Sequence, residues 1–175
     1  MPTPVAHSLA GACIAILVSR RLPAASALPV VAAVLFAANL PDIDYLAVVR
    51  GREAMELFHQ GPLHSLGFVA VAAVPLALLL RRRIGLARAW LLLAGACLTH
   101  LLLDMMVVDR KPPVGLPLLW PWAAGRFHGP VEIFPGIDRA DVLSVKNLRE
   151  LLVELAWGVP AVLTAWWWHR RRNPE

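Results

Sequence analysis

Long apolar runs separated by arginine clusters constrain the fold of this chain more than any other feature. Five such runs cover roughly residues 3–19, 22–40, 65–80, 84–108 and 151–168. A helix that spans a bilayer needs about 20 apolar residues, and about 17 is the usual minimum. Hydrophobic residues make up 58% of the 175-residue chain and charged residues only 17%, too few for a water-soluble domain of this size. The sequence therefore predicts an all-α integral membrane bundle of about five transmembrane helices, in a single domain over residues 1–175.

The arginines also predict the orientation of this bundle. The connections 41–64 and 109–150 are long and carry basic and acidic residues in nearly equal number. Cytoplasmic loops of membrane proteins are instead enriched in Lys and Arg. We therefore expect a multi-pass protein of the bacterial inner membrane, with the N-terminus outside and the C-terminus in the cytoplasm. The arginines expected on the cytoplasmic side are Arg20, Arg21, Arg81, Arg82, Arg83, Arg88, Arg170, Arg171 and Arg172.

The same arginine pattern explains the net charge of +5 without a nucleic acid, so we expect no nucleic-acid partner. The outer loop 109–150 is rich in Pro and Gly and carries Trp120, Trp122 and Phe127. Aromatic residues favour the membrane interface, so this loop is a candidate lid in contact with membrane lipid. The tryptophans 166–168, beside the last arginines, are a candidate anchor on the cytoplasmic side.

Seven His and Asp residues lie at the outer ends of the predicted helices, although they are scattered through the first 104 residues. A polar or ionisable residue inside a membrane is costly and indicates function. The orientation was assigned from arginines alone, yet it brings all seven to one side of the membrane. A membrane-embedded metal site is therefore the leading hypothesis. Its candidate ligands are His7, Asp42, Asp44, His59, His64, His100 and Asp104.

Two of the spacings place pairs of these side chains on a common face. His100 and Asp104 are four residues apart in an apolar helix, so both can reach one ion. Asp42 and Asp44 are two residues apart and point the same way in an extended segment. Hydrogen bonding between helices would explain the first pair without a metal, and solvated acids at a helix end would explain the second.

A third spacing lies in the connection before the third helix. His59 and His64 flank Gly61 and Pro62, which interrupt a helix and allow both imidazoles to fold inward. Ser65 is the predicted N-cap of the helix that follows. A pair of interfacial histidines without a ligand is the alternative interpretation.

The composition of the set indicates which ions and which chemistry to expect. Seven side chains suit two divalent ions, and one bridging hydroxide with three carboxylates would neutralise their charge. Nitrogen and oxygen ligands without Cys fit Zn²⁺ first, with Mn²⁺ or Fe²⁺ as alternatives. Such ions activate a bound water for hydrolysis. We therefore expect a hydrolase that acts on a phosphoryl or acyl group, with four catalytic residues: Asp42, Asp44, His100 and Asp104.

Two other functions remain open at this point. A metal-binding or metal-transporting protein is one, although the cytoplasmic half of the chain offers no second ligand set. A structural membrane protein, held together by its polar residues, is the other. Secondary expectations concern the remaining polar residues: Glu150 and Glu154 as ion-pair partners of Arg149 and Lys146, Asp109 or Asp138 as proton donors, and His128 as a substrate contact.

The ordered motifs resemble a known family. They are His7, Pro41-Asp42-Ile43-Asp44, the stretch from His59 to Ser65, Thr99-His100 with Asp104, and Leu119-Trp120-Pro121. Together they are similar to the LexA-regulated, membrane-bound, predicted metal-dependent hydrolases of the YdjM type. That family is distantly similar to zinc-dependent phospholipase C and P1 nuclease. The resemblance implies hydrolysis of phosphate esters or phosphodiesters, with the seven residues as metal ligands. Because the predicted site opens at the outer membrane surface, lipid phosphate esters are candidate substrates.

The chain departs from that family at Gln60, where the family more often has Arg. By this resemblance, the chain either lacks a cation for the substrate phosphate at this position or supplies one from Arg52, Arg110 or Arg126.

Overall fold

The computed structural model describes residues 1–19, 22–51, 59–110, 114–138, 141 and 143–171. Some residues used in the predictions above lie outside the described residues, namely Arg20, Arg21, Arg52, Pro112, Pro113 and Arg172.

Five α-helices form the described part of the chain. Two 3₁₀ helices, η1 at Leu40–Arg50 and η2 at Pro62–His64, lie between the second and third of them. The described residues contain no β-strand, only two isolated bridges in the segment that follows the fourth helix. The predicted all-α class is therefore confirmed. The α-helices are α1 (Pro4–Ser19), α2 (Ala24–Asn39), α3 (Leu66–Ile84), α4 (Leu86–Asp104) and α5 (Val145–Arg171).

Three helical stretches are long and apolar enough to cross a membrane. They are Ala24–Leu46, Leu86–Asp104 and Val145–Arg171. The first of them consists of α2 and the start of η1. Helix α1 is apolar but has only 16 residues. Helix α3 runs past the predicted apolar segment to Ile84, because its last turn includes the three arginines 81–83. Many large apolar side chains point outward, among them Leu28 at 78% exposure and Leu79 at 76%, as expected of a surface that faces lipid.

Small residues allow the helices to pack closely. Alanines dominate the buried core between α2, α3 and α4, which is typical of helix contacts in membranes. At Gly11 of α1, an added Cβ would lie 3.0 Å from Ala38 Cβ of α2. At Gly158 of α5, it would lie 2.5 Å from Leu9 Cδ1 of α1. Helix α1 is thus held tightly between α2 and α5.

The chain folds so that four helix ends meet at one end of the bundle. The backbone N–H and hydroxyl of Thr3, before α1, donate hydrogen bonds to Glu154 of α5. The carbonyl of Ala38, at the end of α2, lies 2.9 Å from His100 Nδ1 near the end of α4. Ser65 caps α3 at the same end by accepting a hydrogen bond from Phe68 N, as predicted.

The segment after α4 folds back over this end of the bundle. Helix α4 ends at Asp104, earlier than the apolar run to residue 108 suggests. The carbonyls of Met105 and Met106 accept hydrogen bonds from Gly129 N and Ile133 N of the loop rather than continuing the helix. Leu116 of the loop is buried against α3 and α4, so the loop is part of the folded structure.

Candidate metal centre

The structure brings all seven predicted residues together at the end of the bundle where the helix ends meet. His7 lies in the first turns of α1, Asp42 and Asp44 lie in η1, and His59 precedes η2. The other three are His64 at the end of η2 and the α4 pair His100 and Asp104. Each of the seven side chains is at most 8% exposed. The sequence therefore identified a single buried cluster, which we call the His/Asp cluster.

Backbone geometry fixes the ring of His100. Its Nδ1 lies 2.9 Å from the carbonyl oxygen of Ala38, which can only accept a hydrogen bond. The Nδ1 must therefore carry the proton, and the lone pair of the neutral ring is on Nε2. This nitrogen faces the carboxylates of Asp42 and Asp104, at 3.4 Å and 3.5 Å. A backbone carbonyl that accepts from one ring nitrogen, and so fixes the tautomer, is typical of metal-binding histidines.

Four side-chain atoms converge at the middle of the cluster. They are Nε2 of His64 and His100, Oδ1 of Asp42 and Oδ2 of Asp104. His64 Nε2 lies 3.6 Å from Asp42 Oδ1 and 3.3 Å from Asp104 Oδ2. With the two distances from His100, every His–Asp pair in this set is separated by 3.3–3.6 Å.

These separations fit ligands of one ion better than they fit hydrogen bonds. Zn–N and Zn–O bonds of 2.0–2.2 Å place neighbouring tetrahedral ligands about 3.3–3.6 Å apart. Both oxygens of Asp42 and Asp104, and Nε2 of His64 and His100, have no hydrogen-bond partner among the described residues. Buried polar atoms without partners are costly. A cation between them would satisfy these atoms at once.

The charge of the cluster also favours a cation. No Lys or Arg of the described residues pairs with the carboxylates of Asp42, Asp44 or Asp104; their only ionic partners there are histidines. Burial lowers the pKa of His64, but the nearby carboxylates of Asp104 and Asp42 outweigh burial and raise that pKa above its ordinary value. The surroundings of His64 therefore attract positive charge.

The cluster offers more than one position for an ion. Ligand atoms lie within 4.8 Å of one another in three groups: His7, Asp42 and His100; Asp42, His59 and His64; and His64, His100 and Asp104. The groups share Asp42, His64 and His100, so neighbouring ions would have ligands in common. His7 also stacks on His100, with ring centroids 3.7 Å apart, and its Nε2 lies 3.7 Å from Asp104 Oδ1.

Asp44 has a different geometry from the other carboxylates. Its Oδ1 lies 3.0 Å from His59 Nδ1, and its Oδ2 lies 3.5 Å from His64 Nδ1. It belongs to none of the three groups of ligand atoms found among the described residues. Asp44 thus contacts Nδ1 of His64, whereas Nε2 of the same ring faces Asp42 and Asp104. A carboxylate in this position orients an imidazole toward an ion.

Sequence reasoning missed two residues at the edge of the cluster. The sulfur of Met1 contacts His59 Nε2 and accepts a hydrogen bond from the Tyr45 hydroxyl, at 3.1 Å. The ring of Tyr45 lies 4.6 Å from that of His59. A sequence signal existed for Tyr45, which directly follows Asp44 and is the only Tyr of the chain. Met1 carries no comparable signal.

Glu150 and Glu154 differ from their expected role. Both are buried, at 0% and 1% exposure. Glu150 accepts a hydrogen bond from Gly136 N at 2.8 Å, and Glu154 accepts from Thr3. The expected ion pairs with Arg149 and Lys146 are not found among the described residues. The pairs do not form because the two acids lie on the face of α5 that packs against the bundle, whereas the two basic side chains are exposed on other faces.

The other candidate residues hold the loop in place. Asp109 accepts a hydrogen bond from Gly115 N at 3.0 Å, and the backbone N–H of Asp138 donates to Asn147. His128 bonds the carbonyl of Val107 at 2.8 Å. None of these contacts is with the His/Asp cluster.

Two candidate phosphate-binding arginines also contact protein groups. Arg110 lies 3.5 Å from Glu132. Arg126 donates to the carbonyls of Val114 and Gln60, at 3.2 Å and 3.1 Å. Because Gln60 follows His59, Arg126 is the candidate arginine that links the loop to the cluster.

Comparison with known proteins agrees with this arrangement of apolar helices. The model of the family described as YdjM inner membrane protein matches residues 1–172. No curated protein and no solved structure matches the chain. The matched region includes all five α-helices and the whole His/Asp cluster, so the chain belongs to the YdjM inner membrane protein family.

Proposed function

We propose that this inner membrane protein is a metal-dependent hydrolase of phosphate esters or phosphodiesters. One observation carries the proposal. Two imidazole nitrogens and two carboxylate oxygens converge at 3.3–3.6 Å in a buried site without a basic partner among the described residues. That donor set suits a divalent ion such as Zn²⁺, with Mn²⁺ and Fe²⁺ as alternatives.

The residues of the cluster have distinct roles in this proposal. His64, His100, Asp42 and Asp104 would hold the first ion. His7 and His59 would supply ligands for a second ion. Asp44 orients His59 and His64 through their Nδ1 atoms, and so acts as a positioning residue.

The proposed chemistry is hydrolysis of a phosphorus–oxygen bond by water. A divalent ion lowers the pKa of a bound water and polarises a phosphoryl oxygen. Asp42 has the most exposed side chain of the seven, at 8%, and its Oδ2 has no hydrogen-bond partner among the described residues. We assign Asp42 the contact with the attacking water: its carboxylate would accept the proton of the water and return it to the alcohol oxygen that leaves phosphorus. Asp104 and His100 would hold the ion from the end of α4.

A hydrolysis assay tests the proposal. Detergent-purified protein is reconstituted with Zn²⁺, Mn²⁺ or Fe²⁺ and assayed with p-nitrophenyl phosphate and bis-p-nitrophenyl phosphate. We expect turnover that Asp104→Asn lowers at least 100-fold, because the variant loses one charged ligand. Glu132→Gln, a partly exposed acid outside the cluster, is the matched control and should keep the wild-type rate. Turnover that survives Asp104→Asn, or none with any of the metals, would contradict the proposal.

Metal binding without hydrolysis is the second candidate. It is favoured by the burial of all seven side chains, which leaves little of the cluster open to a substrate. Uptake of labelled zinc or manganese into proteoliposomes, together with no hydrolysis by metal-loaded protein, would support this function instead.

A further inference from the structure

An apolar crevice runs between α1 and α5 beside the His/Asp cluster. Its volume is about 140 Å³. Its lining includes Ala6 and Cys13 of α1, and Trp157 and Ala161 of α5. The one acid in its lining, Glu154, has its carboxylate hydrogen-bonded to Thr3. The crevice therefore presents an almost wholly apolar wall.

The crevice begins at residues that adjoin the cluster in the chain and follows the helix axes away from them. Ala6 and Leu103, at its upper end, directly precede His7 and Asp104. From Ala6 to Cys13 it follows α1 for seven residues, or about 10 Å at 1.5 Å per residue. It follows α5 over the same length, from Glu154 to Ala161. An occupant would thus have one end beside the cluster and the other toward the membrane interior.

The mouth of the crevice opens on a surface that faces lipid. Two of its lining residues, Trp157 and Ala161, are exposed. Only 11% of the apolar window of α5 is buried within the protein. Since the protein belongs to an inner membrane family, acyl chains are the apolar groups that surround this helix. An apolar cavity of about 150 Å³ stays dry and can bind a ligand the size of benzene, so this one can accept a short stretch of hydrocarbon chain.

We propose that the crevice binds an acyl chain of a membrane phospholipid whose phosphate group lies at the His/Asp cluster. This inference rests on the proposed hydrolase function and names its substrate class. The chain enters between α1 and α5, and the close contact of Gly158 with Leu9 forms the floor of the crevice. The crevice then selects lipid phosphate esters over soluble ones.

Photo-crosslinking tests lipid binding without any turnover. The probe is phosphatidylglycerol with a diazirine on one acyl chain, mixed with full-length protein in nanodiscs of phosphatidylethanolamine and phosphatidylglycerol. We expect adducts on the 6–13 and 154–161 segments several-fold above those on α3. Ala161→Phe, which fills the mouth, should lower them several-fold. Ala156→Phe, the same change at another exposed position of α5, should not.

Two results would overturn the inference. Adducts spread evenly over α1, α3 and α5 would mean ordinary surrounding lipid. Crevice segments that stay unlabelled while α3 is labelled would mean another occupant, such as a second copy of the chain.

A rate comparison separates this inference from the proposed function. The wild-type protein is assayed with long-chain phosphatidylglycerol and with bis-p-nitrophenyl phosphate. We expect Ala161→Phe to lower the ratio of the two rates about tenfold, and an unchanged ratio would contradict the crevice as the substrate site. Crevice labelling without hydrolysis of either compound would contradict the hydrolase and its lipid substrate, while leaving the bound lipid established.

Discussion

At the scale of single residues, the cluster shows how the surroundings of a side chain prepare it for a ligand. The carbonyl of Ala38 holds the Nδ1 proton of His100, so that Nε2 faces Asp42 and Asp104. The pairing of His100 with Asp104 could be predicted, because the helical period puts residues four apart on one face. The role of Ala38 could not, since every residue has a carbonyl and nothing in the sequence distinguishes this one.

The contacts of Asp44 could not be predicted from the sequence either, and they lead to a testable prediction. Spacing alone placed it beside Asp42 as an equal ligand, whereas its oxygens contact the Nδ1 atoms of His59 and His64. We expect Asp44→Asn to keep the metal stoichiometry and to weaken metal affinity about 10–100-fold, as does loss of a carboxylate that orients a metal-binding histidine. Competition with a metal-sensitive chelator measures this affinity.

The control for Asp44→Asn is Asp141→Asn, a change at an exposed acid outside the cluster. Its affinity should equal that of the wild type. Complete loss of one bound ion in Asp44→Asn would instead make Asp44 a direct ligand.

At the scale of the elements, small residues decide how closely the helices approach. All five predicted helices are present, because apolar runs of this length have few alternatives in a membrane. Their ends were less predictable. Helix α5 begins at Val145 rather than near residue 151. Its first turns expose the charged Lys146 and Arg149 and bury Glu150, a pattern that mean hydropathy does not detect.

A glycine pair tests the contact between α1 and α5. A Cβ at Gly158 would lie 3.1 Å from Leu9 Cβ, whereas a Cβ at Gly95 of α4 meets nothing within 4 Å. We expect Gly158→Val to be less stable than Gly95→Val by about 1–3 kcal/mol, the usual cost of overpacking. Both changes have the same helix-propensity cost, so the difference reports packing alone.

The two glycine variants are compared by reversible unfolding in mixed detergent micelles, and each is also assayed for bound metal. Equal stability of the two variants would mean that α1 and α5 separate without cost.

At the scale of the whole molecule, the chain is an all-helical protein of the inner membrane that gathers its polar residues at one end. Composition was enough to predict the class and the membrane; the observed helices confirm the class, and the family match confirms the membrane. The meeting of the helix ends followed from the order of apolar runs. The course of the loop could not be predicted, because its hydrogen bonds join backbone groups such as Gly129 N and Met105 O.

The orientation in the membrane is a prediction of the arginine pattern. In a background with Cys13→Ala and Cys97→Ala, Leu143→Cys introduces a thiol at a position that is 95% exposed, in the connection before α5. We expect a membrane-impermeant maleimide to label it in intact spheroplasts, because the long loops lie outside. A green fluorescent protein fused after residue 175 should fluoresce in the cytoplasm. Labelling only after lysis would reverse the orientation.

The most direct test of the central claim is the metal content of the purified protein. Elemental analysis by mass spectrometry would compare the wild type with Asp42→Ala, and with Asp141→Ala as the matched control outside the cluster. We expect about two divalent ions per chain in the wild type and the control, and a sharp fall in Asp42→Ala, because Asp42 is a proposed ligand of the metal centre. No bound metal in the wild type, even after reconstitution with zinc, manganese and iron, would contradict it.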